Sequence, residues 1–246
     1  MASLSRVAEI VRRHDPDRFF CTLFAPAPKR EALFTLYAFN HELARAREVT
    51  SEPMMALIRL QWWREVVDGA RRRHDVAGPL GEALDAGALH APDLEAMIEG
   101  READPPETAE EWREYISGTA GTLAVAAGRA LGAGAVPALR ELGAAYGAAG
   151  VLRNAALAQA PHPFAADLAQ SGRAWLAAGA KAGVPRPALA AALPAVLACR
   201  DLRRAVPVRE RGVGDKLAVI IAAARGRVSS VGCGSAPHPT RLLPPA

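Results

Sequence analysis

The stretch REALFTLYAFNHELARARE at residues 30–48, followed by PMMALIRLQWWRE at residues 53–65, decides the fold class of this chain. Its apolar periodicity predicts one long helix, a break at Pro53, and a second helix from residue 54. Side chains three or four residues apart share one face of a helix. On the first helix such spacings join five side chains: Tyr37, His41, Ala44, Arg45 and Glu48. Their shared face is the first candidate for a functional surface.

The composition around this stretch is that of a helical protein. With 246 residues the chain can bury one sizeable core, in one large domain or at most two. Half of the residues are hydrophobic but only 5% are aromatic, so the core must consist of Leu, Val and a large share of Ala. Alanine has the highest helix propensity, and β-branched runs are nearly absent. We therefore predict an all-α protein.

Helical periodicity continues on both sides of the central stretch and predicts about nine or ten helices in all. Within it, Thr108 and Glu111 have the spacing of a capping box, which predicts a helix start. The segments beyond residues 30–48 are predicted at 4–13, 54–73, 80–85, 92–102, 108–131, 136–159, 164–182, 187–204 and 214–225.

Three parts follow from this pattern. Residues 1–28 are predicted to form an N-terminal helix and lead-in that belong to the fold, and residues 29–226 a single helical domain. Ser, Gly and Pro dominate from residue 227 onward, which predicts a disordered tail over 227–246.

Charge and cysteine usage restrict the function class and the compartment. The formal net charge is +4, but most basic residues alternate with acidic ones, as on a solvated helix surface and unlike a nucleic-acid interface. Only residues 71–73 and 200–211 are locally basic, which leaves contact with anionic lipid open. Cys21, Cys199 and Cys233 lie far apart without metal-ligand spacing, which indicates a reducing compartment. No apolar run reaches the length of a membrane span, and the N-terminus lacks a signal core. We predict a cytoplasmic protein, with peripheral contact to the inner membrane as an option.

Four short motifs resemble the squalene/phytoene synthase family: YAF at 37–39, WWRE at 62–65, YISGTAG at 115–121 and GVLR at 150–153. They occur in the order of that family and at roughly its separations, across about residues 15–225 of the chain. Family members are all-α isoprenoid synthases that join two prenyl diphosphates head to head. The resemblance therefore implies a single-domain, isoprenoid-synthase-like helical bundle around a central cavity.

The same resemblance implies two aspartate-rich helices that hold Mg²⁺, since the metal neutralises the leaving diphosphate and prefers carboxylate oxygens. At the first of these motifs the adjacent aspartates are replaced by Ala44 and Arg45, and only Glu48 remains acidic. At the second, Asn154 and Ala158 stand where the family has aspartates. We therefore predict no metal site, no cofactor and no assignable catalytic residue. Mg²⁺ would be needed only if prenyl transfer is retained.

The implied cavity gives a set of candidate lining residues, although each also fits a purely structural role. The charged residues at 42–48 fit a solvated helix face with spaced ion pairs, and the tyrosines fit core positions. Of Trp62 and Trp63, one is predicted in the core and the other at a helix interface or partner surface. The candidates are Tyr37, His41, Ala44, Arg45, Glu48, Tyr115, Arg153 and Asn154.

Residues 37–65 are most similar to a divergent alphaproteobacterial branch of this family, whose mitochondrial relative is a complex I assembly factor. That branch also lacks the aspartates. The resemblance implies a non-catalytic protein that acts by binding, as an assembly factor for respiratory complex I or as a lipid- or prenyl-binding protein. The implied partners are a respiratory complex subunit or a lipid or prenyl chain, without nucleic acid. The alternative is a prenyl transferase that condenses two prenyl diphosphates.

Overall fold

The computed structural model describes residues 4–48, 53–204 and 209–228 of the chain. These residues are helical with short connections and contain no strand, which confirms the predicted all-α class. No helix among them is long and apolar enough to cross a membrane. The helices are α1 (Arg6–His14), α2 (Pro16–Thr22), α3 (Ala27–Glu48), α4 (Pro53–Val67), α5 (Ala77–Asp85), α6 (Ala91–Glu102), α7 (Ala109–Ile116), α8 (Thr122–Ala130), α9 (Pro137–Leu157), α10 (Ala165–Ala182), α11 (Leu189–Ala192), α12 (Pro194–Asp201) and α13 (Val213–Arg225).

The central helix of the N-terminal half is α3, which packs against α1, α4 and α5. All of its residues from 32 to 39 are buried, so the YAF motif lies in the core. Phe39 meets Trp63 of α4 edge to face, with 5.3 Å between the ring centroids. Two of the family-like motifs therefore join α3 to α4 through an aromatic contact.

Helices α7 and α8 form one continuous rod interrupted by a π-helical turn at Ser117–Gly121. The rod begins at the predicted capping box. The Thr108 hydroxyl accepts a hydrogen bond from the Glu111 N–H at 3.2 Å, and the Glu111 carboxylate accepts one from the Thr108 N–H at 3.2 Å. In the π turn the Thr119 hydroxyl donates to the Tyr115 carbonyl at 2.7 Å. This turn packs on α9, so it forms the contact between the α7–α8 rod and α9.

Glycines on α9 allow that close packing. A Cβ atom at Gly143 would lie 2.5 Å from the Ala120 carbonyl oxygen, and one at Gly147 would lie 2.6 Å from the Ala120 Cβ. Neither residue could carry a side chain without a shift of the π turn. Gly150 differs, because a Cβ atom there would have no heavy atom of a neighbouring element within 4 Å, and Gly150 faces the cavity described below.

Three predicted helices differ from the observed ones, and the first is the segment at 108–131, which the π-helical turn divides into α7 and α8. The segment predicted to end at residue 73 ends at Val67, because Gly69 adopts a φ of 106° that interrupts the helix. The segment predicted over 187–204 is divided into shorter helices, with Pro194 at the start of α12. The predicted disordered tail lies outside the described residues from residue 229 onward.

Candidate functional site

A cavity of about 750 Å³ lies among α1, α2, α7, α8, α9 and the segment before α13. Its volume is within the range of small-molecule pockets. The lining combines an aromatic and apolar part with many charged groups, of which six are basic and three acidic. The larger apolar residues include Trp112, Tyr115, Ile116, Leu123, Tyr146 and Val151. The charged residues are Arg18, Arg101, Arg153, Arg209, Arg211 and Lys216, with Asp15, Asp17 and Glu210.

A buried ionic cluster lies at one part of this lining and centres on Arg211. Its guanidinium donates to Asp17 Oδ2 at 2.7 Å and to the two Asp201 oxygens at 2.6 and 2.8 Å. The exposed side-chain fractions are only 9% for Arg211, 5% for Asp17 and 8% for Asp201. The cluster therefore joins α2 and α12 to the segment before α13, in a setting where each charge needs a partner.

Helix α9 completes the ionic cluster with Arg153 and Tyr146. The Arg153 guanidinium donates to Asp17 at 3.2 Å and lies 3.5 Å from Asp201, while the Tyr146 hydroxyl donates to Asp17 at 3.1 Å. Arg153, the arginine of the GVLR motif, thus neutralises aspartates on two other helices. We use the name ionic cluster for these residues together with Arg204, described below. The members are Asp17, Tyr146, Arg153, Asp201, Arg204 and Arg211.

Arg204 extends the ionic cluster to α13. It donates to Asp201 at 3.1 Å and also to Asp215, which in turn accepts from Arg200 at 2.5 Å. Asp215 is buried and its second oxygen accepts the Gly212 N–H at 3.3 Å, which caps the start of α13. The start of the last described helix is therefore anchored to α12 by charge-assisted hydrogen bonds.

A second cation of the cavity, Arg18, lies on aromatic rings. Its guanidinium carbon is 4.6 Å from the Tyr146 ring centroid and 5.6 Å from that of Tyr37, and it donates to Asp15 at 2.7 Å. Burial by itself would lower the pKa of Arg18, but the negative charge of Asp15 raises it above the ordinary value. Arg18 therefore presents a permanent positive charge to the cavity.

Three of the predicted candidates line the cavity: Tyr115, Arg153 and Asn154. The Tyr115 hydroxyl accepts a hydrogen bond from Arg101 at 3.0 Å. Arg101 also donates to Asn40, the contribution of α3 to the lining, at 3.4 Å.

The candidates on α3 lie elsewhere. Tyr37 is buried in the core beneath Arg18, and burial raises the pKa of its hydroxyl. His41 stacks on His14 with 4.2 Å between ring centroids, so that His14 and not His41 reaches the lining. Burial, followed by the charge of His14, lowers the pKa of His41.

Arg45 departs most from the predicted face. It is exposed and lines a separate cleft with Arg59 of α4, while Ala44 is half-buried and outside the cavity lining. The reason is the helical repeat, since eight residues advance the side-chain direction by about 80° relative to Tyr37. The side chain of Glu48 lies outside what the structure describes.

The sequence interpretation missed most of the ionic cluster. Asp17 and Arg18 lie between the helices predicted at 4–13 and 30–48, and residues 200–211 indicated only a basic region. Asp17 and Arg211 are 194 positions apart, so no local spacing relates them. The available signal was weak: an Asp-rich helix start that precedes a buried apolar segment.

Two of the three acidic residues that line the cavity, Asp15 and Asp17, do not fit a magnesium site. Within residues 4–48, 53–204 and 209–228, no three His, Cys, Asp or Glu side chains come together as a metal-binding group. Both oxygens of Asp17 accept hydrogen bonds from Arg211, and Asp15 is paired with Arg18. Mg²⁺ needs several oxygen ligands in octahedral geometry, whereas these oxygens are engaged by guanidinium groups.

Two buried carboxyls, Asp17 in the ionic cluster and Asp215 beside it, have lowered pKa values. Burial by itself would raise the pKa of Asp17, but hydrogen bonds and charge from Arg211, with the charge of Arg153, lower it below 3.8. The pKa of Asp215 is likewise lowered, because hydrogen bonds from two arginines outweigh the effect of burial. A carboxyl with a lower pKa in the folded state stabilises that state above its unfolded pKa. The contribution is lost as the pH falls through the folded pKa.

We therefore expect the free energy of unfolding to fall with decreasing pH below about 4, the unfolded pKa of an aspartate. Above about pH 5 these carboxyls should contribute no pH dependence. Urea unfolding at a series of pH values measures the slope. The Asp17→Asn variant should have a shallower acid slope than the wild type, and equal slopes would contradict the assignment.

Comparison with known proteins gives relatives of one kind. The chain is 38% identical over 60 residues to the human protein "NADH dehydrogenase (ubiquinone) complex I, assembly factor 6", which covers 24% of this chain and 18% of that protein. It is 30% identical over 171 residues to the Drosophila melanogaster homolog of that factor, which covers 62% of this chain and 51% of the relative. The matched region thus spans about half or less of the length of these relatives.

The fold and the family are shown by two further matches. A dehydrosqualene synthase crystal structure, solved in complex with ligand, superposes with a TM-score of 0.62 at 13% identity, over 89% of this chain and 94% of that one. At this identity the likeness concerns the fold alone. Residues 11–160, more than half of the chain, match the squalene/phytoene synthase family. The chain therefore belongs to the squalene/phytoene synthase family.

Proposed function

We propose that this protein acts by binding and not by prenyl transfer, and that it serves as an assembly factor for respiratory complex I. The similarity to complex I assembly factor 6 from flies, over 171 residues, supports the complex I part of the proposal. A cytoplasmic location, with peripheral contact to the inner membrane, is part of the same proposal.

The non-catalytic part of the proposal depends on the charges in the cavity. Departure of a diphosphate from an allylic carbon needs neutralisation, which family members of the synthase type obtain from metal ions held by carboxylates. Here the cavity presents Arg153 and Asn154 from α9, and its Asp17 is engaged by Arg211. An arginine can bind a phosphate group without metal, but binding alone does not supply the missing metal-assisted ionisation.

The cavity supports binding of a lipid or prenyl chain as the second element of this function. Trp112, Ile116 and Leu123 offer apolar surface, and Arg18 and Arg101 offer positive charge within the same cavity. An apolar chain with an anionic head group matches this combination.

A prenyl transferase remains the second candidate, because the chain belongs to a synthase family and superposes on a dehydrosqualene synthase. The two functions differ in one measurement, the release of pyrophosphate from farnesyl or geranylgeranyl diphosphate by purified protein with Mg²⁺. We expect release no greater than that of a heat-denatured control. Turnover above that control would reject the non-catalytic function.

Deletion of the gene tests the assembly function directly. We expect the deletion strain to contain less assembled complex I on native gels and to oxidise NADH more slowly in isolated membranes. The wild-type gene supplied on a plasmid should restore both. A plasmid that carries the control variant Arg71→Ala should do the same, because Arg71 only forms an exposed ion pair with Asp85. Normal complex I in the deletion strain would contradict the proposal.

A further inference from the structure

A second cleft of about 370 Å³ lies between α3 and α4, apart from the central cavity. It is lined by Glu42 and Arg45 of α3, by Arg59, Trp62 and Trp63 of α4, and by His74. These residues belong largely to the stretches that decided the fold class, yet the central cavity uses none of them.

The floor of this cleft is aromatic. Trp62 and Trp63 meet edge to face at 4.8 Å, and the His74 ring lies 5.3 Å from Trp63 and 5.7 Å from Trp62. Trp63 is buried against Phe39, whereas Trp62 is half-buried and reaches the cleft. One tryptophan thus belongs to the core and the other to a surface, as the sequence predicted.

The rim of the cleft is positively charged. Arg59 is exposed and has no ion-pair partner in the part of the chain that the structure describes. Arg45 is exposed as well and lies 3.8 Å from Glu42, too far for a close hydrogen bond. Among the described residues that line the cleft, two guanidinium groups face one carboxylate, which gives this part of the lining a net positive charge.

Exposed apolar side chains continue from the cleft along α4. Met54 is 66% exposed and Ile58 is 53% exposed, and Met55 and Leu57 are also open to solvent. Residues 55, 58, 59 and 62 lie on one helical face, so the apolar side chains adjoin Arg59 and Trp62. Residues 54 and 57 extend this face on the side away from Arg59, so the exposed apolar side chains form a wide convex arc. We call the arc and the cleft together the α4 surface.

We propose that the α4 surface docks on an anionic lipid bilayer. The apolar arc enters the boundary between head groups and acyl chains, Trp62 lies at the head-group level, and Arg45 and Arg59 contact lipid phosphates. The exposed aliphatic side chains lie on the convex arc and outside the cleft, which suits a bilayer better than a peptide segment that would bury its own side chains in a groove. The inference rests on the peripheral membrane contact in the proposed function and gives it a surface and a lipid class.

Vesicle sedimentation with the purified full-length protein tests this inference. We expect binding to vesicles of phosphatidylcholine mixed with phosphatidylglycerol, weaker binding to phosphatidylcholine alone, and loss of binding in high salt. Arg59→Gln should weaken binding to the anionic vesicles about fivefold. Ile58→Glu should weaken it about tenfold or more, because a charge replaces an apolar anchor.

Two matched controls separate the α4 surface from general effects. Leu217→Glu changes an exposed apolar residue of α13, and Lys181→Gln removes an exposed positive charge from α10. Both should bind vesicles like the wild type. Inorganic phosphate should inhibit vesicle binding no more than chloride does at equal ionic strength, since a free anion lacks the apolar contact. Stronger inhibition by phosphate would assign the cleft to free phosphate and overturn the proposal.

Other outcomes would also overturn it. Equal binding to neutral and anionic vesicles, or equal losses in Leu217→Glu and Ile58→Glu, would exclude the α4 surface as the lipid contact. If Ile58→Glu binds vesicles normally but fails to restore complex I in the deletion strain, the surface serves a protein partner instead. Since the vesicle assay contains no complex I, its result is independent of the assembly function.

Discussion

Replacement of Arg211 by alanine should lower the free energy of unfolding by about 3–5 kcal/mol, as removal of one partner from a buried ion pair does. Arg211 donates to Asp17 and Asp201, and both carboxylates are almost entirely buried. Without Arg211, each would have lost its shortest charge-assisted hydrogen bond, and Arg153 and Arg204 could compensate only in part. Urea unfolding at neutral pH, followed by circular dichroism, measures the change.

A control at an exposed pair shows whether burial is the cause. Arg71 pairs with Asp85 at 2.5 Å, but both side chains are more than half exposed, so Arg71→Ala should leave stability nearly unchanged. The quadruple variant Asp17→Asn, Asp201→Asn, Arg153→Met, Arg211→Met should recover part of the lost stability, because it removes both buried carboxylates together with the two arginines that pair with them, while Arg204 keeps Asp215. A small effect of Arg211→Ala, similar to that of Arg71→Ala, would show that the ionic cluster does not stabilise the fold.

Replacement of Phe39 by alanine should lower the free energy of unfolding by about 3–5 kcal/mol, the usual cost of removing a fully buried phenylalanine. Phe39 is completely inaccessible to solvent and contacts Trp63 edge to face. The loss combines transfer of apolar surface with an unfilled space between α3 and α4. Because Trp63 supports Trp62 in the cleft, the near-ultraviolet circular dichroism of the tryptophans should also decrease.

Phe24 provides the matched comparison, since it is partly exposed and meets Phe20 edge to face at 5.5 Å. Phe24→Ala also removes a phenyl ring, but it should lower the free energy of unfolding much less than Phe39→Ala. The reason is that the Phe24 ring is already partly exposed, so its removal takes less apolar surface out of the core. If the two variants lose equal stability, the packing of α3 on α4 is not what the YAF motif provides.

Local signals explain which parts of the fold the sequence predicted well. The capping box at Thr108 and the proline at the start of α4 act through neighbours within a few residues, and both occur as predicted. The apolar periodicity of α3 likewise predicted a long buried helix. The end of α4 was predicted too late in the chain. The sequence still favours a helix up to residue 73, but the positive φ of Gly69 interrupts it.

The candidate site was harder to predict because its parts meet only in the folded chain. Spacing on α3 placed Arg45 with Tyr37, but the helical repeat carries Arg45 into the cleft beside Arg59. Arg153 was recognised from its motif, whereas its partners Asp17 and Asp201 lie on other helices. Pairing over such distances leaves no pattern in a single sequence.

The contact between Asp17 and Arg211 also determines when the cavity can form during synthesis. Domains fold as the chain emerges from the ribosome, and a contact between residues 194 positions apart must wait for the later one. The N-terminal helices can pack on one another early, but one side of the cavity stays open to water until residue 211 has emerged. Any ligand of the cavity therefore meets a complete binding site only after residue 211 has been synthesised.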